Sequence, residues 1–164
     1  MAVDLNNIKT QFKSIMDSAN TTTADYDLST GLGERVQKVL KVNPLKIPIQ
    51  TSFFPYVTIY PDSKEIELTS IAKNQQTGKR WGEISFNVVG AVWDQLISDL
   101  TADDADEEIE TLMENVEEVL RRNFKLNDAV KWTLPESTAY HTLPLDEQTH
   151  MRVGLFSIVA KLEY

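Results

Sequence analysis

The stretch from 153 to 164 constrains the fold most. From Gly154 onward the even positions Phe156, Ile158, Ala160, Leu162 and Tyr164 point to one side of a strand. Val153, Leu155 and Val159 make the start of the other side apolar too. A strand apolar on both faces belongs at the centre of a sheet that is covered on both sides.

The helix to cover it stands earlier in the chain. Over residues 103–124, Ile109, Leu112, Met113, Val116, Val119, Leu120 and Phe124 form an apolar stripe at helical spacing. Asp103, Asp104, Asp106, Glu107 and Glu108 crowd its start, and Arg121 and Arg122 close it, so both ends suit the helix dipole. A first helix is expected from Leu5, Ile8, Phe12, Ile15, Met16 and Ala19 behind an N-cap at Asp4. A second, short helix is expected where Leu32, Val36, Val39 and Leu40 share a face, stopped by Asn43-Pro44.

Strands fill the middle. Pro44, Pro48 and Pro55 predict an extended connector, and 56–60 is β-branched and aromatic. Ile66 and Leu68 alternate with Glu65 and Glu67. In residues 80–93, Ile84, Phe86, Val88 and Val92 face one way and Glu83, Ser85 and Asn87 the other. The polar run 73–79 between them reads as a hairpin tip. Residues 127–132 are expected to be extended, and 134–150 a loop with two prolines. The order gives one domain, 1–164, of α+β class: a single mixed or antiparallel sheet with flanking helices and a long β-hairpin.

Charge and composition remove several function classes. Lys plus Arg is 16 and Asp plus Glu is 25, a net charge of −9, which argues against gripping nucleic acid. With no cysteine, thiolate metal sites and cysteine nucleophiles are excluded. The longest apolar runs, such as 88–93, fall far short of the ~20 residues a bilayer span needs. Residues 1–6 lack a signal-peptide core, so folding in a cytoplasm is expected and the Asn20-Thr21-Thr22 sequon reads as chance.

Recognisable chemistry is sparse. Gly31-Leu32-Gly33 fails as a dinucleotide loop because Val36 holds the third glycine position. Gly78-Lys79 fails as a phosphate loop because Lys73 holds the first glycine position and Arg80 follows the lysine. His141 and His150 read as loop histidines rather than zinc ligands. The acids 103–108 lack an EF-hand glycine and read as a helix start. No Gly-x-Ser-x-Gly elbow occurs. Trp81, Trp93 and Trp132 read as core rather than a ligand pocket. The expectation is a protein that is not an enzyme and holds no metal or cofactor. The hairpin residues Lys73, Asn74, Gln75, Gln76, Lys79 and Arg80 read either as a simply solvated tip or as a docking arm that reaches a neighbouring subunit. Its natural target is an acidic surface on another copy, such as Asp103, Asp104 and Glu107 at the start of the long helix. Complementary patches on one subunit make head-to-tail contacts.

The segment order also resembles a known family. Residues 27–32 (Asp-Leu-Ser-Thr-Gly-Leu) lead into the expected helix 34–42, then 54–61 (Phe-Pro-Tyr-Val-Thr-Ile-Tyr-Pro). The hairpin, the strand 86–93, the acidic helix ending Leu120-Arg121-Arg122-Asn123 and the strand 152–164 follow. Over residues 5–164 this is similar to the tail terminator (tail completion) proteins of long-tailed bacteriophages. The resemblance implies a sheet flanked by helices that assembles as a hexameric ring. Such a ring caps the head-proximal end of the tail tube, stops its polymerisation and joins it to the head–tail connector or neck protein. In contractile-tailed relatives it also meets the sheath. Genomic DNA would pass the lumen without specific binding, no membrane would be involved, and the protein would reside in the virion after assembly in the host cytoplasm. The alternatives are another phage neck or head–tail joining protein, or a small non-catalytic binding or adaptor domain.

Overall fold

A computed structural model describes residues 4–21, 27–30, 34–48, 50–67, 81–95, 102–144 and 149–163. Among these, one six-stranded sheet and two α-helices form a mixed α+β fold. The elements are α1 (Leu5–Ala19), β1 (Lys38–Leu40), β2 (Tyr56–Glu67), β3 (Trp81–Gln95), α2 (Ala102–Arg122), β4 (Trp132–Pro135), β5 (Ala139–Pro144) and β6 (Thr149–Glu163). The sheet order is β1-β2-β3-β6-β4, with β5 also on β6. All pairings are antiparallel except β1 with β2.

Both helices bury an apolar stripe on the same face of the sheet. In α1, Asp4 caps the first turn by accepting from the Asn7 N–H at 2.9 Å, and Ile8, Phe12, Ile15 and Met16 are buried. In α2, Ile109, Leu112, Met113, Val116, Val119 and Leu120 are buried against Ile84, Phe86 and Val88 of β3 and Phe156, Ile158 and Ala160 of β6. Each such side chain contributes about 1.5–3 kcal/mol of burial. Arg121 and Arg122 close α2 and pair back to Glu117 and Glu118 at 2.7 and 3.1 Å. Asn115 ties the helix to segment 27–30 by donating to the Ser29 carbonyl at 3.0 Å.

The close approach of α2 depends on two glycines. Gly90 of β3 and Gly154 of β6 are directly cross-strand, and Met113 lies over the pair. A Cβ on Gly90 would stand 2.5 Å from the Met113 Sδ. One on Gly154 would stand 2.9 Å from that Sδ and inside contact distance of Cγ, which is far less free to move.

Several expectations give way. The expected short helix is absent: Val39 and Leu40 lie in the parallel strand β1, Val36 stands just before it, and Leu32 lies outside the described residues. The backbone there bonds across the chain: Val36 N–H to the Leu28 carbonyl at 3.2 Å and Gln37 N–H to the Pro55 carbonyl at 2.7 Å. Those partners satisfy groups that a helix would have satisfied internally. The proline connector is not wholly extended, carrying 3-10 turns at Pro44–Lys46 and Thr51–Phe53. Residues 56–60 and 65–67 are one strand, with a register shift between Pro61 and Ser63. Phe124 lies beyond the end of α2 and is 45% exposed. The expected loop 134–150 is largely strand, because β4 and β5 both pair with β6, β4 along its later half and β5 along its start.

The expected extended start at residue 127 is a left-handed turn. Leu126, Asn127 and Asp128 all have positive φ (46°, 54° and 62°), and the turn closes with Val130 N–H on the Lys125 carbonyl at 3.2 Å. Left-handed backbone costs a side-chain-bearing residue about 1–2 kcal/mol, less for Asn and Asp. Burial of Leu126 and the Asn127 amide on the Gln11 side chain (3.0 Å) offset it.

Strand β6 holds the central position its sequence predicts, between β3 and the β4–β5 edge. Its helix side is buried from Gly154 to Leu162. Its other side is buried only at Met151 and Val153, with Leu155, Ser157, Val159, Lys161 and Glu163 half-exposed.

Three substitutions test the glycine packing and the left-handed turn. Gly154→Ala is expected to destabilise the fold by about 1–3 kcal/mol by overpacking against Met113, and Gly90→Ala by less because the Sδ can move. Asp128→Gly, at an exposed left-handed position, is expected to stabilise by about 0.5–1 kcal/mol. Urea unfolding midpoints measure all three.

Candidate interaction surface

The sheet ends in strands that have a neighbour on one side only. On one margin, β4 and β5 both pair with β6, and the step from Pro135↔Ile158 to Ala139↔Leu155 inserts one extra residue into the outer strand. The two are therefore one edge bent by a bulge. All six residues of β5 are exposed. On the far margin β1 has β2 as its sole strand neighbour among the described residues.

An acidic stripe runs beside the β5 margin. Glu107, Glu110, Glu114 and Glu117 recur at spacings of three and four along α2, so they share one side of the helix. Tyr140 of β5 lies within their field. Its phenol is pushed above the usual tyrosine range, first by burial and then by Glu110, Glu114 and Glu117. Arg152 of β6 pairs with Asp106 at 3.2 Å and with the Thr142 hydroxyl, which joins the start of α2 to β5. This stripe was readable from helical spacing, but its partner strand was not, because nothing in 139–144 alternates.

The sheet face away from the helices has two unlike ends. At one, Phe54, Tyr56, Val89, Ala91, Met151 and Val153 form a second buried cluster, flanked by Leu40, Phe53, Tyr60, Trp93 and Leu155. The Phe54 and Tyr56 rings meet with centroids 5.1 Å apart. At the other end the face is polar. Lys161 lies 5.0 Å above the Trp132 ring and pairs with Glu83 at 2.7 Å, and Lys131 pairs with Glu163 at 3.0 Å.

The residues singled out in the sequence fall as follows. Lys73, Asn74, Gln75, Gln76, Lys79 and Arg80 lie outside the described residues; the strands on either side of them are antiparallel, with Glu67 opposite Trp81. Asp103 and Asp104 lie in the first turn of α2, their side chains outside the description, and Glu107 is exposed on the same helix. His141 lies opposite Val153 and His150 opposite Pro144. Positions 153 and 150 of β6 have opposite parity, so the two imidazoles belong to opposite faces and share no site. Trp81, Trp93 and Trp132 occupy the face away from the helices, but Trp81 and Trp93 are separated by about 40 Å of strand, too far for one pocket. Among the described residues, no three His, Asp or Glu side chains are grouped to hold a metal, and no helix is long and apolar enough to cross a membrane.

Burial gives the second cluster a pH signature. The Tyr56 phenol is pushed up to about 12, first by desolvation and then by Tyr60, and its hydroxyl reaches only the Met151 sulfur at 3.7 Å. The unfolded phenol ionises near pH ~10, so between about 10 and 12 the unfolded chain loses its proton first, and stability falls by about 2–3 kcal/mol as pH rises through that window. Tyr56→Phe is expected to remove this part of the alkaline loss. Melting temperatures of both proteins at about pH 8 and about pH 11 measure it, and equal drops would contradict it. No protein-family model matches the chain, and no curated protein matches it.

Proposed function

We propose that this protein is a tail terminator of a long-tailed bacteriophage: a subunit of a ring that caps the head-proximal end of the tail tube and stops its polymerisation. The same ring presents the joint to the head connector. Two lines support the reading. The first is the segment order, in which a Pro-Tyr-Val-Thr-Ile-Tyr-Pro strand, a long antiparallel pair, an acidic helix and a two-faced final strand follow one another.

The second line, which carries the most weight, is the pair of open margins. Strands β1 and β5 bound opposite sides of one sheet, and each has a free flank among the described residues. A subunit with unlike margins on opposite sides associates head to tail, and a fixed rotation per step closes such contacts into a ring. Six subunits is the number the family resemblance implies.

The charge suits a conduit. A net −9 per subunit, repeated around a ring, disfavours tight gripping of DNA phosphates. In this reading the output of the fold is shape rather than bond-making, and its partners are further copies of itself, the tube protein and the connector, with the sheath added in a contractile tail.

Negative-stain microscopy with headless tail tubes of the phage that encodes the chain tests the role. The expected result is a ring seated on one end of each tube, and tubes that no longer lengthen when tube protein is added. Protein bound to DNA-filled heads and not to tubes would favour a neck component. Binding to neither would overturn the assembly role.

A further inference from the structure

The margins of the sheet are not equally protected. Past β1, the flank of β2 carries Pro61, a register break before Ser63, and the exposed charges Asp62, Lys64 and Glu65. Proline, a bulge and charge are the devices that keep an open edge from pairing. Between the bulge that precedes it and Pro144, strand β5 has none of them: Ala139, Tyr140, His141, Thr142 and Leu143 are all exposed and carry no formal charge at pH 7. Tyr140 and Leu143 are 44% and 42% exposed, a large apolar investment for an edge facing only water. Strand β1 is three residues long, carries neither proline nor bulge, and has Lys38 as its one charge.

Charge is divided between the same two margins. From Val36 to Gln50 the chain carries Lys38, Lys41 and Lys46 and no acid. Lys38 and Lys46 are exposed, and Lys41 donates to the Thr10 hydroxyl of α1 at 3.1 Å, which places it on the helix-bearing side. The β5 margin has Glu107, Glu110 and Glu114 exposed on that same side. None of these six is in an ion pair among the described residues. An acidic chain therefore keeps one basic edge, opposite its most acidic one.

Strand directions complete the geometry. The pairings make β1, β2 and β6 run one way and β3 and β5 the other. A copy that continues the sheet without inverting it therefore brings its β1 antiparallel to β5, the more stable of the two ladders.

We infer that β1 of one copy docks antiparallel on β5 of the next, extending the sheet from subunit to subunit, with Lys41 set against the stripe Glu107, Glu110 and Glu114 and the rest of the basic edge adding to the attraction. This rests on the reading of the chain as a ring-forming subunit and deepens it by naming the interface. Lys41 meets the stripe on the helix side, whereas Lys38, level with Tyr56 and 5.9 Å from the Phe53 ring centroid, lies on the other face and with Lys46 adds only to the positive field of the edge.

Two charge-reversed variants and their mixture test the interface. Variant one is Lys38→Glu/Lys41→Glu/Lys46→Glu, and variant two is Glu107→Lys/Glu110→Lys/Glu114→Lys. Circular dichroism melts confirm that each still folds. Sedimentation at low salt and millimolar protein is expected to show wild type assembled. Each variant alone should associate at least about a hundred-fold more weakly, since like charges then face each other. Mixed in equal amounts, the two should assemble again as alternating copies, because every junction regains opposite charges. Variants that assemble as wild type does would overturn the interface. So would a mixture that stays monomeric, or wild type that never assembles. Tube binding is scored separately. Rescued rings that ignore tail tubes leave the interface standing and sink the capping role, whereas rings that cap tubes despite reversed edges do the opposite.

Discussion

Met113 over the Gly90–Gly154 pair is the contact on which the rest of the structure depends. Two adjacent central strands each give up a side chain at the same level, and one flexible thioether fills the space. The helix axis is thereby drawn down onto the sheet, and the neighbours of Met113 (Ile109, Leu112 and Val116) reach the floor formed by β3 and β6. Because α2 is held in one rotational setting, its acids are held in one place too. Glu110, Glu114 and Glu117 stand beside β5, where Tyr140 registers their charge. A packing constraint in the core thus fixes the electrostatics of a surface.

The two faces of the sheet do different work. The helix-bearing face buries the large core and supplies most of the apolar stabilisation. The other face is closed at one end by Phe54 over Tyr56 and left polar at the other, where Lys161, Glu83 and Trp132 form a half-buried cluster. The fold needs the first face to exist at all. Its second face and its margins are surplus to folding, and surplus apolar or segregated charged surface is what contacts between proteins are made from.

The proposed assembly follows from that division. Antiparallel pairing across a subunit boundary satisfies backbone groups that an isolated chain leaves to water, and opposite charge sets orientation more than it adds affinity. The blunted flank of β2 complements this: closing one route of strand addition leaves the other to specify the contact.

The sequence by itself determined those elements whose neighbours are implied by their own periodicity. Asp4 and the Ile8–Phe12–Ile15–Met16 spacing define α1, the Ile109-to-Leu120 stripe defines α2, the alternation from Ile84 to Val88 defines β3, and the double-sided end defines the central β6. Each buries a face, and a buried face leaves a pattern. Tertiary structure alone decided the margins. Val36, Val39 and Leu40 fit a short helix as well as a strand, and only the Pro55 carbonyl and parallel pairing to β2 choose the strand. Strand β5 is exposed on both faces and so has no apolar alternation; it is a strand because β6 lies beside it. The three left-handed residues 126–128 likewise reflect the need to bring Trp132 back onto β6 rather than any local preference of leucine. The candidate surface was half legible for the same reason: helical spacing reveals the acidic stripe, while the edge it flanks exists only through hydrogen bonds to a strand distant in sequence.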